Sequence, residues 1–239
     1  MRPLLRLLIV GVTLVGLFAL SGPAFADVWG KVATGGGSAN LRVRATSNSI
    51  KVHQRANGKP LRLVCRAQGQ KVGATRRWYK LGRGALISAA LVRAPKAAGD
   101  LPTCPPRGRG DDYYVKYTGK SVDPFRFYSR YCTSFAAWRV NQKRNFTNFS
   151  FKQHFSNAEN WDNAARAAGI KVTHNSPRAG DVAQWNGNVN GASYAGHVGF
   201  VRRVYANGDV KIEEYNWSNR LGYGTRRVHK SKISNFIRF

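Results

Sequence analysis

Two domains of different class are predicted: an all-β domain built as a small barrel, followed by a domain that mixes helices with an antiparallel hairpin. Three observations carry this. Short alternating runs separated by Gly, Pro and Asn turn signals fill residues 28–104. Helical periodicity first appears around Cys132 and returns at Asn160 to Gly169. An Asn-Gly pair at Asn207-Gly208 then joins two β-rich runs, a strong short-range hairpin signal. Between the halves, Pro105-Pro106-Arg107-Gly108-Arg109-Gly110 can extend neither a helix nor a central strand, and it marks a linker taken as 105–119. No internal repeat or low-complexity tract interrupts this plan.

Residues 1–26 read as a secretory signal peptide, with Arg2 and Arg6, an apolar run from Leu7 to Leu20 and a small-x-small site at Ala24-Phe25-Ala26. That run is shorter than the roughly 20 residues a membrane span needs. The expectation is an exported monomer, extracellular or bound at the cell wall, that starts near Asp27 and has no transmembrane segment after cleavage. The formal net charge is +28, and between Asp27 and Asp100 there is no acidic residue at all. Such a segment is held by any polyanion in a salt-dependent way. For an exported chain the polyanion is an anionic surface polymer, and nucleic acid is expected only as a non-specific partner.

In the first domain (27–104), Leu41-Arg42-Val43-Arg44, Ile50-Lys51-Val52 and Leu61-Arg62-Leu63 alternate, and Ala85-Leu86-Ile87 and Leu91-Val92 are short apolar runs. Asn57-Gly58-Lys59-Pro60 and Gly82-Arg83-Gly84 supply turns. Cys65 closes an apolar run and Cys104 ends the same domain, so these two are paired, which suits an exported chain. Cys132 is left as a lone thiol in the other domain.

In the second domain (120–239), Ser129 reads as a helix N-cap, which sets Cys132 near the third helical position. Cys132, Phe135, Ala136 and Val140 fall on one face, and the helix dipole, with Arg130 beside it, favours the thiolate. The plain alternative is that Cys132 is a small buried hydrophobe. Asn145 to Phe155 reads as loop, with formal glycosylation sequons at Asn145 and Asn148. A helix follows over Asn160 to Gly169, with Trp161, Ala164, Ala165 and Ala168 on one face and Gly169 as its cap, and then a strand at Asp181 to Trp185. With Asn207-Gly208 at the tip, the hairpin pairs Tyr205 with Val210, Val201 with Glu214 and Gly199 with Asn216. His197, Glu214 and Asn216 then share one face, while Glu213 and Arg202 take the other. In that register Asn216 is the diagonal neighbour of His197. Glu214 lies one pair further and reaches the ring only through a bulge, a strong twist or an even register shift. His53, His154, His174 and His229 read as solvated side chains.

Two resemblances add to this. Asn40-Leu41-Arg42-Val43-Arg44, Leu63-Val64-Cys65, Trp78-Tyr79-Lys80-Leu81 and Ala85-Leu86-Ile87-Ser88 resemble the bacterial Src-homology-3-like (SH3b) wall-binding domain, and Cys65 and Cys104 match a cysteine pair in a secreted actinobacterial version of it. The family's Gly-Pro after the first arginine is replaced here by Ala45-Thr46. Phe127 to Arg139, Gly180 to Trp185, Gly196-His197-Val198 and Ile212 to Trp217 resemble the CHAP family of cysteine, histidine-dependent amidohydrolases/peptidases. That resemblance implies a papain-like α+β fold and peptidoglycan as substrate. It matches Cys132 to the nucleophile, His197 to the base, Glu214 to the group that orients the base and Asn216 to a further polar member. Tyr131 stands where the family often has Gln, so Tyr131 and Trp217 are carried as candidate oxyanion or substrate residues.

The expectation is therefore a secreted peptidoglycan amidohydrolase, an N-acetylmuramoyl-L-alanine amidase or an endopeptidase, working through a thioester and held to the wall by a basic domain. No metal or cofactor is expected, since the cysteines and histidines show no ligand spacing. The rival from another class is a non-catalytic cationic protein that binds walls or disrupts membranes by charge alone.

Overall fold

The computed structural model describes residues 27–82, 84–104, 110–113, 121–143, 146, 149 and 155–239. The expected leader, residues 105–109 of the linker, Arg83, His154 and most of the 145–155 loop with its sequons lie outside the described residues. No described helix is long and apolar enough to cross a membrane.

The described residues are mostly β with two α-helices. In the first half, β1 (Val28–Val32), β2 (Ser38–Arg42), β3 (Lys51–Ala56), β4 (Pro60–Val72), β5 (Thr75–Leu81), β6 (Leu86–Ser88) and β7 (Val92–Arg93) form one sheet ordered β3-β2-β6-β5-β4-β1-β7. Period-two alternation does what it should. Along β4, Leu61, Leu63 and Cys65 are buried while Arg62 and Val64 face out. The backbone amide of Cys104 donates to the Arg66 carbonyl at 2.7 Å, which lays Cys104 beside β4, and Cys65 and Cys104 are disulfide-bonded.

The second half contains α1 (Cys132–Lys143), α2 (Trp161–Ala167), β8 (Lys171–Thr173), β9 (Val182–Trp185), β10 (His197–Val204), β11 (Asp209–Tyr215), β12 (Tyr223–His229) and β13 (Asn235–Arg238). Its antiparallel sheet is ordered β12-β11-β10-β9-β13-β8, and α1 packs across β10 and β11. Phe200 and Tyr215 meet Phe135 in the core on the helix side, whereas Trp185, Val201, Val210 and Ile212 form a second cluster on the opposite face. Gly169, at φ 71°, ends α2 in the left-handed conformation expected of a glycine cap.

Three expectations are corrected. Ser129 does not cap α1: Arg130 takes a left-handed φ of 69° and separates it from the helix, whose first bond runs from the Phe135 amide to the Tyr131 carbonyl at 3.1 Å. Cys132 is thus the first helical residue rather than the third, still at the positive end of the dipole. The hairpin tip is a three-residue loop closed by Gly208 at φ 86°, which moves the register by one residue relative to a two-residue turn. A bulge between Val201 and Arg203 moves it by one more. The linker read at 105–119 is packed against the second domain where it is described, at 110–113. Tyr113 is buried against Phe135, Trp138 and Tyr215. Gly84 is the contact of the first sheet with this segment, where any Cβ would sit 2.2 Å from the Asp112 carbonyl oxygen.

One charged side chain binds these parts together. Arg139 on α1 is 0% exposed; its Nε donates to Glu213 of β11 at 2.9 Å, and its two Nη groups donate to Asp112, Gln142 and the Gly110 carbonyl. Removing one member of such a network strands the others without water. Arg139→Met should therefore destabilise the fold by about 3–5 kcal/mol, read from denaturant unfolding. Replacing Cys65 and Cys104 together by Ser opens a loop spanning 39 residues and should cost about 3–4 kcal/mol in the same assay.

Candidate active site

Cys132 lies half-buried at the N-terminus of α1, at the foot of a cleft of about 690 Å³ that Tyr131, Tyr194, His197, Asn216 and Trp217 also line. The turn leading into α1 is fixed from two sides. Asp123 is buried, and its Oδ1 accepts the Phe125 and Phe127 amides at 2.8 and 2.9 Å. Its Oδ2 accepts the Ser134 hydroxyl on α1, which also meets the Tyr113 hydroxyl. Burial pushes the Asp123 carboxyl up to about 6 against these bonds. On the other side, Arg130 donates from Nε to the Leu221 carbonyl at 2.7 Å and lies over the Tyr215 ring.

The two register shifts decide which carboxylate meets the histidine. Together they sum to two residues, an even number, so the face of every side chain near His197 is kept while Glu214 slides into the diagonal position. His197 Nε2 donates to Glu214 Oε2 at 2.9 Å, with both residues buried. The other ring nitrogen, Nδ1, is thereby left available to the Cys132 thiol, to which the ring is electrostatically coupled. Glu213 points the other way and pairs with Arg139 and Arg202, as alternation requires.

Asn216 lines the same cleft as His197 but lies just past the end of its strand. β11 ends at Tyr215, Asn216 turns to φ 59°, and its Oδ1 accepts the Leu221 amide at 2.8 Å, so it closes the 216–222 loop while lining the cleft. Trp217 stacks against His197, with ring centroids 4.6 Å apart. Tyr131 is exposed at the cleft rim beside Tyr128.

Arg226 on β12 belongs to none of the motifs singled out along the sequence. Its Nε donates to both oxygens of Glu214, at 2.9 and 3.2 Å, and its guanidinium lies over Trp217 at 4.0 Å and Trp185 at 4.5 Å. Only the pairing of β11 with β12 brings it there, with Glu214 opposite Gly224 and so diagonal to Arg226. Among the other histidines, His53 is exposed, His174 is exposed and bonded to the Ser234 carbonyl, and His229 meets Ser231. Among the described residues no three His, Cys, Asp or Glu side chains gather as a metal ion would require.

Electrostatics couples thiol and imidazole. Burial alone would push the thiol up, but the charge and hydrogen bond of His197, with the Val198 and Thr133 amides, outweigh it and hold Cys132 below its ordinary value. For His197 burial likewise works against charge. The Cys132 thiolate and the Glu214 carboxylate reverse that and push it up to about 9. The favoured state between the two ionisations is a thiolate–imidazolium pair, and the two steps belong to the pair as a unit. Alkylation by iodoacetamide should therefore stay fast well below the free-cysteine value of about 8.5 and show an upper inflection near 9 as the imidazolium loses its proton. In His197→Ala the rate at pH 6 should fall more than about tenfold, since the thiolate loses its counter-ion.

Residues 122–216 match the family model for the CHAP domain. Over 104 residues the chain is 34% identical to the N-acetylmuramoyl-L-alanine amidase sle1 of Staphylococcus epidermidis, covering 44% of this chain and 30% of that one. It is 29% identical over 155 residues to the staphylococcal secretory antigen SsaA of Staphylococcus aureus, covering 65% of this chain and 53% of the antigen. The chain thus spans between about a third and about half of the length of these relatives. A solved structure of an N-acetylmuramoyl-L-alanine amidase from Staphylococcus aureus aligns over 45% of this chain and 30% of that one, with a TM-score of 0.39 and 23% identity, and decides nothing about the fold.

Proposed function

We propose that this chain is a secreted cysteine-dependent hydrolase of peptidoglycan amide bonds, with residues 120–239 as a papain-like catalytic domain of the CHAP type. The observation that carries this reading is the placement of Cys132 and His197 at the foot of an open cleft, with Glu214 buried behind the ring, inside the segment that matches the CHAP model. Cys132 thiolate attacks the substrate carbonyl, and the Cys–S–C bond forms as the carbonyl becomes an oxyanion. The Cys132 amide, at the first turn of α1, has no intrahelical partner and is one donor for that oxyanion. The imidazolium of His197 protonates the leaving amine, the C–N bond breaks and a thioester remains. His197, now neutral, takes a proton from water, which attacks the thioester and returns Cys132 to the thiolate. Glu214 holds the ring in the orientation both steps need.

Relatives named N-acetylmuramoyl-L-alanine amidases favour the bond between the muramoyl lactyl group and L-alanine over those within the stem or cross-bridge. The sheet of residues 28–93 serves in this reading as an SH3b-like wall-binding domain. Its freedom from acidic residues attracts anionic wall polymers and raises the local concentration of substrate.

Digestion of purified peptidoglycan tests this, with products identified by mass spectrometry. The wild type should release new amino termini, predominantly L-alanine, without new reducing ends. Cys132→Ala should bind the same sacculi and lose at least about 10³ in turnover. Equal release by the two proteins would remove the hydrolase and leave the cationic binder.

A further inference from the structure

Beyond the three groups that react, we infer that Arg226 is a positioning residue: it shares the charge of Glu214 with His197, so that the imidazolium is held in place yet still gives up its proton to a leaving amine. The geometry is specific. A fully buried carboxylate lies between two cationic donors, His197 Nε2 on one oxygen and Arg226 Nε across both. The guanidinium cannot swing freely, because Trp217 and Trp185 support its plane, and the same two rings flank the imidazole at 4.6 and 5.6 Å. One aromatic pair thus sets both cations against one anion.

The chemistry explains why a second cation is useful. A buried carboxylate facing only an imidazolium stabilises that charge strongly, since little water screens the pair. The stronger that hold, the weaker the acid, and an acid that must protonate an amine works best when its affinity for the proton is close to that of the leaving group. Arg226 lowers the field of Glu214 at the ring without removing the hydrogen bond that orients it. The other charged groups around His197 are accounted for. Cys132 faces it from α1 and raises its proton affinity. Glu159, on the turn packed against the start of β10, lies by Gly187 and Gly196. Glu213 and Arg202 occupy the reverse face of the hairpin and pair with each other.

The test is an NMR titration of the ¹⁵N-labelled His197 ring in the mature protein, for the wild type, Arg226→Met and Arg226→Lys, with iodoacetamide alkylation followed in parallel. The methionine fills the slot between the tryptophans without charge. Its imidazolium should titrate about one pH unit higher than in the wild type, where the ring is set near 9. The upper inflection of alkylation should move with it. Arg226→Lys should bring the titration back toward the wild-type value. A merely structural arginine would lower the unfolding midpoint of both variants and leave the titration where it was, and that result overturns the inference. So does a downward shift in Arg226→Met. The inference rests on Cys132 and His197 being the working pair, but neither readout uses peptidoglycan. Failure of the hydrolase reading therefore shows in digestion alone, and failure of this one in the titration alone.

Discussion

The guanidinium of Arg139, enclosed on every side, is the constraint from which the site's geometry follows. It sits on the helix that begins with Cys132 and is paired with Glu213 on β11. The next residue on that strand, Glu214, points to the other face and meets His197. Adjacent residues of one strand thus perform two tasks because a strand presents alternate side chains to opposite faces. Glu213 fixes where the helix lies on the sheet, and Glu214 fixes where the imidazole lies relative to that helix. A displacement of α1 along the sheet would part Arg139 from Glu213 and Cys132 from His197 together, because Arg139 and Cys132 belong to the same helix.

Burial sets the cost of this arrangement and also its chemical consequence. Cys132 and His197 are both pushed by desolvation toward their neutral forms, and both are pulled back by a neighbour of opposite charge and by hydrogen bonds. The thiol is drawn down and the imidazole drawn up by the same contact. Asp123, which has amides and a hydroxyl but no cation among its principal influences, ends on the other side of that balance, with burial prevailing. Asp112, Glu213 and Glu214 each lie beside an arginine instead.

The first sheet is not an independent appendage in its packing. Its apolar residues, such as Leu41, Tyr79 and Ile87, belong to the same buried cluster as Phe135 and Trp138 of α1, and Gly84 allows the two halves to approach at Asp112. Its outward face carries cations without acids. Local order and net charge are thus set by different residues of the same strands, which lets the proposed wall-binding face vary in charge while its buried positions keep the fold.

Much of this could be read along the chain, because the information is local or periodic. Alternation located strands at 41–42 and 61–63, though the first ends at Arg42, Asn207-Gly208 located the hairpin, and the distribution of three cysteines left Cys132 unpaired. Parity alone placed His197 and Glu214 on one face, and it survived two register errors because they summed to an even number. What the sequence could not supply depends on contacts between residues far apart in it. The three-residue tip and the bulge at Val201 to Arg203 together brought Glu214 to the ring, and the left-handed turn at Arg130 moved the helix start to Cys132. Arg139 and Arg226 look like two more cations in a chain of net charge +28. Only tertiary packing, which removes water from around them and sets a carboxylate against each, distinguishes them from the rest.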